Sequence, residues 1–248
     1  MDTIRNEEGE RIDSTLTLST SSNSVGEWLV ILGHGLTGDK DRPLITDTAA
    51  AMNQAGFDTL RISFSGNGQS EGNFEESTIT KEFSDLGAVI DEAAEHYSKI
   101  AYVGHSMGCA VGVLRTSKDP RIHALISLAG MVDCKKFAED EFSESIPGRD
   151  DMWDEPDKPL SQGFYDDLTK TIISTAPAAE HINIPWLLIH GTADDVVLPA
   201  DTQTIAALNK ENVETHSIEG ADHQFSDEAH KREATQRVAS WLSAVAVC

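Results

Sequence analysis

The stretch that decides the fold is IAYVGHSMGCAVGVLRT, residues 100–116. Its apolar start predicts a buried strand over residues 100–103, and its second half predicts a helix over residues 106–116. Between them lies Gly104-His105-Ser106-Met107-Gly108, which matches the pattern G-x-S-x-G. A serine in this pattern sits on a sharp strand-to-helix turn that lifts its hydroxyl clear of the sheet, and the flanking glycines let the backbones pack closely. The stretch therefore predicts a nucleophile elbow with Ser106 as the nucleophile.

The sequence also offers a base and an acid for this serine. A serine hydroxyl attacks only when a base takes its proton, and behind such an elbow the chain order is Ser, then Asp or Glu, then His. Of the nine histidines, His223 has this order and follows a predicted strand. Asp194 and Asp195 follow an earlier predicted strand, and adjacent side chains on a turn point apart. We predict His223 as the base and favour Asp194 as its partner, with Asp195 as the alternative.

Two backbone N–H groups must face the oxygen that becomes negatively charged during attack on a carbonyl. One is expected from Met107, directly after the nucleophile, and the other from Leu36, in the loop after the first central strand. His34 and His105 lie in the glycine-containing loops beside these residues. We predict that both contact the substrate site, and that His34 also shapes its loop.

The rest of the chain alternates apolar runs with helical patterns. Further strands are predicted over residues 28–32, 58–64, 124–128, 185–189 and 213–218, and further helices over residues 43–55, 80–97, 200–208 and 226–245. This alternation predicts an α/β fold with a mostly parallel central sheet and helices on both faces. A loose alternation over residues 10–20 predicts a short N-terminal hairpin.

Residues 131–179 break the alternation, because they are acidic, contain proline and carry several aromatic residues. Plain connections are much shorter. We predict a single domain over residues 1–248, with residues 131–179 inserted as a cap over the carboxyl edge of the sheet, where ligands of open α/β sheets bind. The aromatic residues of the cap could form a dimer surface, so a homodimer is one expected assembly.

Composition limits the partners. The chain has 19 Lys and Arg against 42 Asp and Glu, a net charge of −23, which argues against nucleic acid and membrane surfaces as partners. No apolar run reaches the roughly 18 residues of a membrane span, and the polar N-terminus does not resemble a secretory signal, so a cytoplasmic location is expected. Cys109, Cys134 and Cys248 have no metal-binding spacing, and neither a metal nor an organic cofactor is implied.

Together these motifs resemble the α/β-hydrolase superfamily, and within it the bacterial cinnamoyl (feruloyl) esterases and the serine aminopeptidase-like hydrolases. The resemblance covers about residues 28–245 and is carried by residues 33–36, 65–72, 104–108, 190–194 and 218–227. It implies an α/β-hydrolase fold with a small cap that holds an aromatic acyl group. By the same resemblance, Tyr165 is expected to hydrogen-bond a phenolic hydroxyl of the substrate.

The sequence departs from these esterases at Leu36, where they usually have an aromatic residue, and at Asn67, where they often have histidine. The cap is also more acidic than theirs. These departures leave the acyl specificity open between hydroxycinnamoyl and short-chain groups.

We therefore predict a serine carboxylesterase that acts on a small-molecule ester. One alternative is a serine aminopeptidase or amidase, in which acidic cap residues would hold the ammonium group of the substrate. Another is a non-catalytic binding protein on a hydrolase fold. Ester and amide substrates with one acyl group separate the first two, and labelling by a serine-directed phosphonate tests the third.

Overall fold

The computed structural model describes residues 3–22 and 25–247, and its seven strands form one sheet in the order β1-β3-β2-β4-β5-β6-β7. The strands are β1 (Ser14–Thr17), β2 (Trp28–Gly33), β3 (Asp58–Ile62), β4 (Lys99–His105), β5 (Ile122–Leu128), β6 (Trp186–Gly191) and β7 (Val213–Ile218). Neighbouring strands run parallel, except that β1 is antiparallel to β3. The predicted α/β class with a mostly parallel sheet is confirmed.

Helices cover both faces of the sheet. In chain order they are α1 (Pro43–Ala55), α2 (Ile79–Ala94), α3 (Met107–Thr116), α4 (Cys134–Glu141), α5 (Gln162–Asp166), α6 (Ala176–Ala179), α7 (Ala200–Leu208) and α8 (Glu228–Ala246). Strand β2 shows why the sheet needs a layer of helices on each face, because successive side chains of a strand point to opposite faces. Leu29 and Ile31 belong to one apolar cluster and Val30 to the other. Among the described residues, no helix is long and apolar enough to cross a membrane.

The N-terminal hairpin expected over residues 10–20 is wrong. Strand β1 pairs with β3, with Ser14 opposite Ile62 and Thr17 opposite Thr59. Alternation of side chains predicts a strand but not its partner, because the partner is chosen by the register against a distant segment. The predicted strand is real, and it lies at the edge of the main sheet.

Residues 131–179, which we call the cap, lie between β5 and β6 and contain α4 (Cys134–Glu141), α5 (Gln162–Asp166) and α6 (Ala176–Ala179). Phe142 joins these pieces, with its ring centroid 6.1 Å from that of Phe137 and 6.3 Å from that of Phe164. All three rings belong to the apolar cluster that also contains residues of α2 and α3. This continuity supports our proposal of one domain with an insertion.

Carboxyl side chains are buried where the cap meets α2. Glu82 is 1% exposed and Asp85 is 0% exposed. Asp167 of the cap accepts hydrogen bonds from the backbone N–H and the hydroxyl of Thr80, at 3.1 and 2.6 Å. Burial raises the pKa of Glu82 well above its ordinary value, and the neighbouring Asp85 carboxylate raises it further. Glu82 therefore keeps its proton in the folded protein at pH values where the unfolded chain has released it.

Replacing Glu82 with glutamine is expected to stabilise the protein increasingly as the pH rises. A raised pKa in the folded state means that the wild type has its full stability below the ordinary value of 4.5 and loses stability as the pH rises above it. Glutamine has nearly the same shape and does not titrate. Thermal melts between pH 4 and 8 should show a melting-temperature difference that grows with pH. The exposed Glu75→Gln variant is the control, and a difference independent of pH would contradict the prediction.

Candidate active site

Ser106 lies in the turn between β4 and α3, with backbone φ 53° and ψ −119°. Such a conformation costs a residue with a side chain about 1–3 kcal/mol, so the surroundings must hold it. A Cβ on Gly104 would lie 2.6 Å from the carbonyl carbon of Gly108, and a Cβ on Gly108 would lie 2.4 Å from the carbonyl oxygen of His34. Both glycines are therefore required for the backbone contacts that hold this turn.

Ser106, His223 and Asp194 lie in a row at the carboxyl ends of β4, β7 and β6. The Nε2 atom of His223 is 3.0 Å from Oγ of Ser106, and its Nδ1 atom is 2.9 Å from Oδ2 of Asp194. All three residues are buried. Asp195 is exposed, so the structure brings Asp194 rather than Asp195 to the histidine. In this arrangement an imidazole can accept the serine proton while a carboxylate holds its other N–H group.

The loops that carry Asp194 and His223 are held against each other by their backbones. The N–H of Ala193 donates to the carbonyl of Ala221 at 3.0 Å. Gly191 lies at the closest approach, where a Cβ would be 2.2 Å from the same carbonyl oxygen. The spacing between the carboxylate and the imidazole is thus fixed by main-chain contacts as well as by their own hydrogen bond.

Asp194 accepts hydrogen bonds at both of its oxygens. The N–H groups of Val196 and Val197 donate to Oδ1 at 3.0 and 2.9 Å. Oδ2 faces both His223 and Nε2 of His190, the latter at 3.0 Å. Burial alone raises the pKa of this carboxyl, but the hydrogen bonds from the two histidines outweigh it and hold the pKa of Asp194 below its ordinary value. The site therefore stabilises a charged carboxylate.

The loop after β2 lies directly against the nucleophile turn. A Cβ on Gly35 would be 2.9 Å from Cβ of Ser106. Leu36 follows Gly35 in a turn closed by the hydrogen bond from the Gly38 N–H to the Gly35 carbonyl, at 3.0 Å. Met107 is the first residue of α3, and the first N–H groups of a helix have no acceptor within it. The amides of Leu36 and Met107 thus flank Ser106, and their binding of an oxyanion stays a prediction.

His34 and His105 line the same cavity as Ser106, but their rings make contacts within the protein. Nδ1 of His34 is 2.8 Å from the carbonyl of Gly35, and its Nε2 accepts from the N–H of Phe64 at 3.0 Å. Nε2 of His105 donates to the backbone carbonyl of His223 at 3.0 Å. Burial lowers the pKa of His34 to about 4. Burial and, to a smaller extent, the nearby His223 lower the pKa of His105 to about 3. Both rings therefore hold the loops of the site in place, and their contact with substrate stays a prediction.

Ser106 opens into a cavity of about 710 Å³. The cap contributes Phe137, Glu141, Trp153 and Glu155 to its lining. Tyr165 is not among the described residues that line it, and it packs half-buried against the apolar core. Its neighbour Phe164 is buried, and successive residues on a helix point about 100° apart. The expected contact of Tyr165 with substrate is therefore not supported by its position.

Trp153 is a cavity residue that the sequence did not single out. It is 40% exposed, with backbone φ 51°. Its indole N–H donates to Oε2 of Glu141 at 2.9 Å, and its ring lies 5.3 Å from that of Phe142. The available signal was an aromatic residue in an acidic turn, which carries no periodicity. His190 was also missed as a partner of Asp194, although it stands four residues before it.

Among the described residues, no group of three or more His, Cys, Asp or Glu side chains is arranged to hold a metal ion. The residues around Ser106 are instead suited to proton transfer and to binding an oxyanion.

The fold and the site define a hydrolase of the α/β-hydrolase fold, and similar solved structures share that fold. Est1E from Butyrivibrio proteoclasticus with bound ferulic acid gives a TM-score of 0.81 at 23% identity, covering 98% of both chains. The Pyrococcus furiosus esterase Pf2001 gives 0.76 at 20% identity, covering 98% of this chain and 91% of the esterase. Mouse alpha/beta hydrolase domain-containing protein 10 gives 0.75 at 17% identity, covering 98% of both. At these identities the likeness concerns the fold.

The sequence profile of the prolyl oligopeptidase family matches residues 45–247, so the chain belongs to that family. Among curated relatives, the mitochondrial palmitoyl-protein thioesterase ABHD10 of Homo sapiens is 29% identical over 155 residues, covering 57% of this chain and 49% of the relative. Its Pongo abelii counterpart is 26% identical over 188 residues, covering 70% and 60%. The chain thus matches about half to three fifths of the length of these relatives. The predicted membership of the α/β-hydrolase superfamily is confirmed.

Proposed function

We propose that this chain is a serine carboxylic-ester hydrolase that works through an acyl-enzyme on Ser106. One observation carries the proposal. Oγ of Ser106 is 3.0 Å from Nε2 of His223, whose Nδ1 is 2.9 Å from Oδ2 of Asp194, and the serine lies in the wall of a cavity large enough for a small acyl group.

In the first half of the reaction, Oγ of Ser106 attacks the ester carbonyl while its proton moves to Nε2 of His223. The charged carboxylate of Asp194 stabilises the imidazolium that forms. The negative carbonyl oxygen is placed for the amides of Leu36 and Met107. The tetrahedral intermediate then collapses, the bond to the alcohol oxygen breaks, and His223 returns the proton to the leaving alcohol.

In the second half, water replaces the alcohol. His223 takes a proton from the water as its oxygen attacks the acyl carbonyl, and the same two amides face the new oxyanion. The bond between the acyl carbon and Oγ of Ser106 then breaks, and Oγ recovers its proton from the imidazolium. The carboxylic acid leaves and the serine is free for another cycle.

For the acyl group we propose a small aromatic or short-chain acid, with the aromatic one favoured. Phe137 and Trp153 present aromatic surface from the cap to the same cavity that contains Ser106. Aromatic rings gain roughly 0.5–1.5 kcal/mol from offset or edge contacts beyond the area they bury. The solved structure of Est1E, which is similar in fold, contains ferulic acid.

Methyl ferulate and methyl acetate test this proposal, because they share the alcohol and differ in the acyl group. Trp153→Ala is expected to raise KM for methyl ferulate about tenfold, since a lost aromatic contact plus buried area amounts to about 1.4 kcal/mol. The same variant should leave KM for the acetyl ester nearly unchanged, because a two-carbon acyl group does not fill the cavity. Steady-state kinetics on both esters measure the difference.

Tyr165→Phe is the matched control, because Tyr165 packs against the core outside the cavity lining. It should leave KM for methyl ferulate unchanged. If Tyr165→Phe weakens ferulate binding while Trp153→Ala does not, the proposed acyl site is wrong. If neither the wild type nor the variants hydrolyse methyl ferulate while the acetyl ester is hydrolysed, the proposed acyl group is a short-chain one and not an aromatic one.

A second candidate is a peptidase or amidase, and two observations favour it. Glu141 and Glu155 of the cap line the cavity, where a carboxylate could pair with the ammonium group of an aminoacyl substrate. The family to which the chain belongs is named for a peptidase. Comparing an aminoacyl anilide with the methyl ester of the same amino acid separates the two. We expect the ester to be the better substrate, and faster turnover of the anilide would overturn the esterase proposal.

A further inference from the structure

His190 lies beside Asp194 in a way that the reaction above does not use. It is in β6, is 2% exposed and is absent from the described residues that line the cavity. Its Nε2 atom is 3.0 Å from Oδ2 of Asp194, the same oxygen that Nδ1 of His223 approaches at 2.9 Å. Two imidazoles therefore approach one carboxylate oxygen, and the imidazole of His190 lies outside the described cavity lining.

The neighbours of His190 decide where its proton lies. Nε2 is also 2.8 Å from the carbonyl oxygen of Val197, so both groups facing this nitrogen are acceptors without a proton. Nε2 must therefore carry the hydrogen and donate it. Nδ1 is 2.8 Å from the hydroxyl of Thr202, which can donate to it in return. In the neutral ring the single proton on Nε2 is shared between the carbonyl oxygen of Val197 at 2.8 Å and Oδ2 of Asp194 at 3.0 Å.

The N–H group of His190 faces Oδ2 of Asp194, which is the oxygen that accepts the hydrogen bond from His223. Oδ1 of Asp194 is already fixed by the amides of Val196 and Val197. Within the described part of the chain, the partners of Oδ2 are the two imidazoles. A carboxylate oxygen that faces a second N–H donor shares its negative charge between two donors, and it attracts each proton less.

We propose that His190 is a positioning residue: its Nε2–H group holds Oδ2 of Asp194 in line with His223 and weakens the carboxylate's hold on the His223 proton. The inference rests on the proposed hydrolase function. Its consequence is that Oδ2 keeps one direction, so that the imidazole of His223 stays aligned with Ser106. Asp201 of α7 is also near His190, and its carboxylate accepts hydrogen bonds from the amides of Val132 and Asp133. The ring of His105 faces that of His223, with 5.0 Å between their centroids.

The test compares His190→Leu, which removes the donor at similar volume, with His190→Gln, whose amide N–H can replace it. Ester hydrolysis is measured against pH for both variants. We expect His190→Leu to lower kcat about tenfold, the effect of losing one hydrogen bond to a charged group, with KM nearly unchanged. The acid limb of its kcat/KM profile should move to higher pH, because Asp194 then holds the imidazolium of His223 more strongly. His190→Gln should recover most of kcat and the wild-type acid limb.

Wild-type kcat and an unmoved acid limb in His190→Leu would overturn the proposal. So would a His190→Gln variant as impaired as His190→Leu, which would mean that only the ring's packing matters. Should the leucine variant not fold, nitrogen NMR of the wild-type ring decides, since a proton found on Nδ1 instead of Nε2 excludes the donor role. Retained hydrolysis in Ser106→Ala would instead identify failure of the proposed function itself.

Discussion

Ser106→Ala is expected to lower kcat for any ester that the wild type hydrolyses by about 10⁵-fold, leaving a fold with an unchanged melting temperature. In the proposed reaction, Oγ of Ser106 is the protein atom that bonds covalently to the acyl group. Without it, the residual rate comes from water bound near the amides of Leu36 and Met107. The fold should tolerate alanine at position 106, because the substitution removes only the hydroxyl that is directed at His223.

Two measurements make this result specific. A serine-directed phosphonate should label the wild type and not Ser106→Ala, with the added mass on the peptide that contains residue 106. Ser226→Ala is the matched control, because Ser226 lines the same cavity while Nε2 of His223 is directed at Ser106. Its kcat should stay within a few-fold of wild type. Labelling of another residue, or hydrolysis that survives in Ser106→Ala, would show that Ser106 is not the nucleophile.

Asp194→Asn is expected to lower kcat by about 10⁴-fold while KM changes little. The amide has nearly the same shape but no charge. Its NH₂ group can face Nδ1 of His223, and the imidazole then carries its proton on Nε2, where it cannot accept one from Ser106. The loss should persist from pH 5 to 9, because the pKa of Asp194 lies below its ordinary value and the wild-type carboxylate stays charged over that range. Steady-state kinetics between pH 5 and 9 measure the effect.

Asp195→Asn tests the same chemical change one residue further along the chain. Asp195 is exposed and lies outside the hydrogen bonds that join Asp194 to His223, so its variant should retain wild-type kcat. This pair of variants separates a specific role of Asp194 from a general loss of negative charge in the loop. Equal losses in both variants, or a larger loss in Asp195→Asn, would contradict the assignment.

The elbow could be predicted because its physics is local. Five consecutive residues, Gly104 to Gly108, must bring two backbones together around one strained serine, and only glycine at both ends permits the contacts seen in the structure. The strands and helices could also be predicted from local patterns. Apolar runs of strand length between helical patterns leave few alternatives to a parallel sheet that is covered on both faces. The chain order of Ser106, Asp194 and His223 then limited the possible partners.

The errors lie where contacts join distant segments. Strand β1 was expected in a hairpin and pairs with β3, because register against another strand does not appear in a local pattern. The cap has no repeating period, so nothing in its sequence distinguished Trp153, which lines the cavity, from Tyr165, which packs against the core. A resemblance to other esterases was the only basis for choosing Tyr165, and its contact with substrate stays a prediction.

The sequence by itself determined the class of fold and the nucleophile turn, and it narrowed the base and acid to one histidine and two adjacent aspartates. Those follow from short-range sterics and from the rule that parallel strands bring their carboxyl ends to one edge. The tertiary structure decided which aspartate faces His223, which aromatic residue reaches the cavity, and that His190 shares the oxygen of Asp194. Each of these three features depends on side-chain directions and hydrogen-bond partners that packing sets. Packing brings together residues that are distant in the sequence.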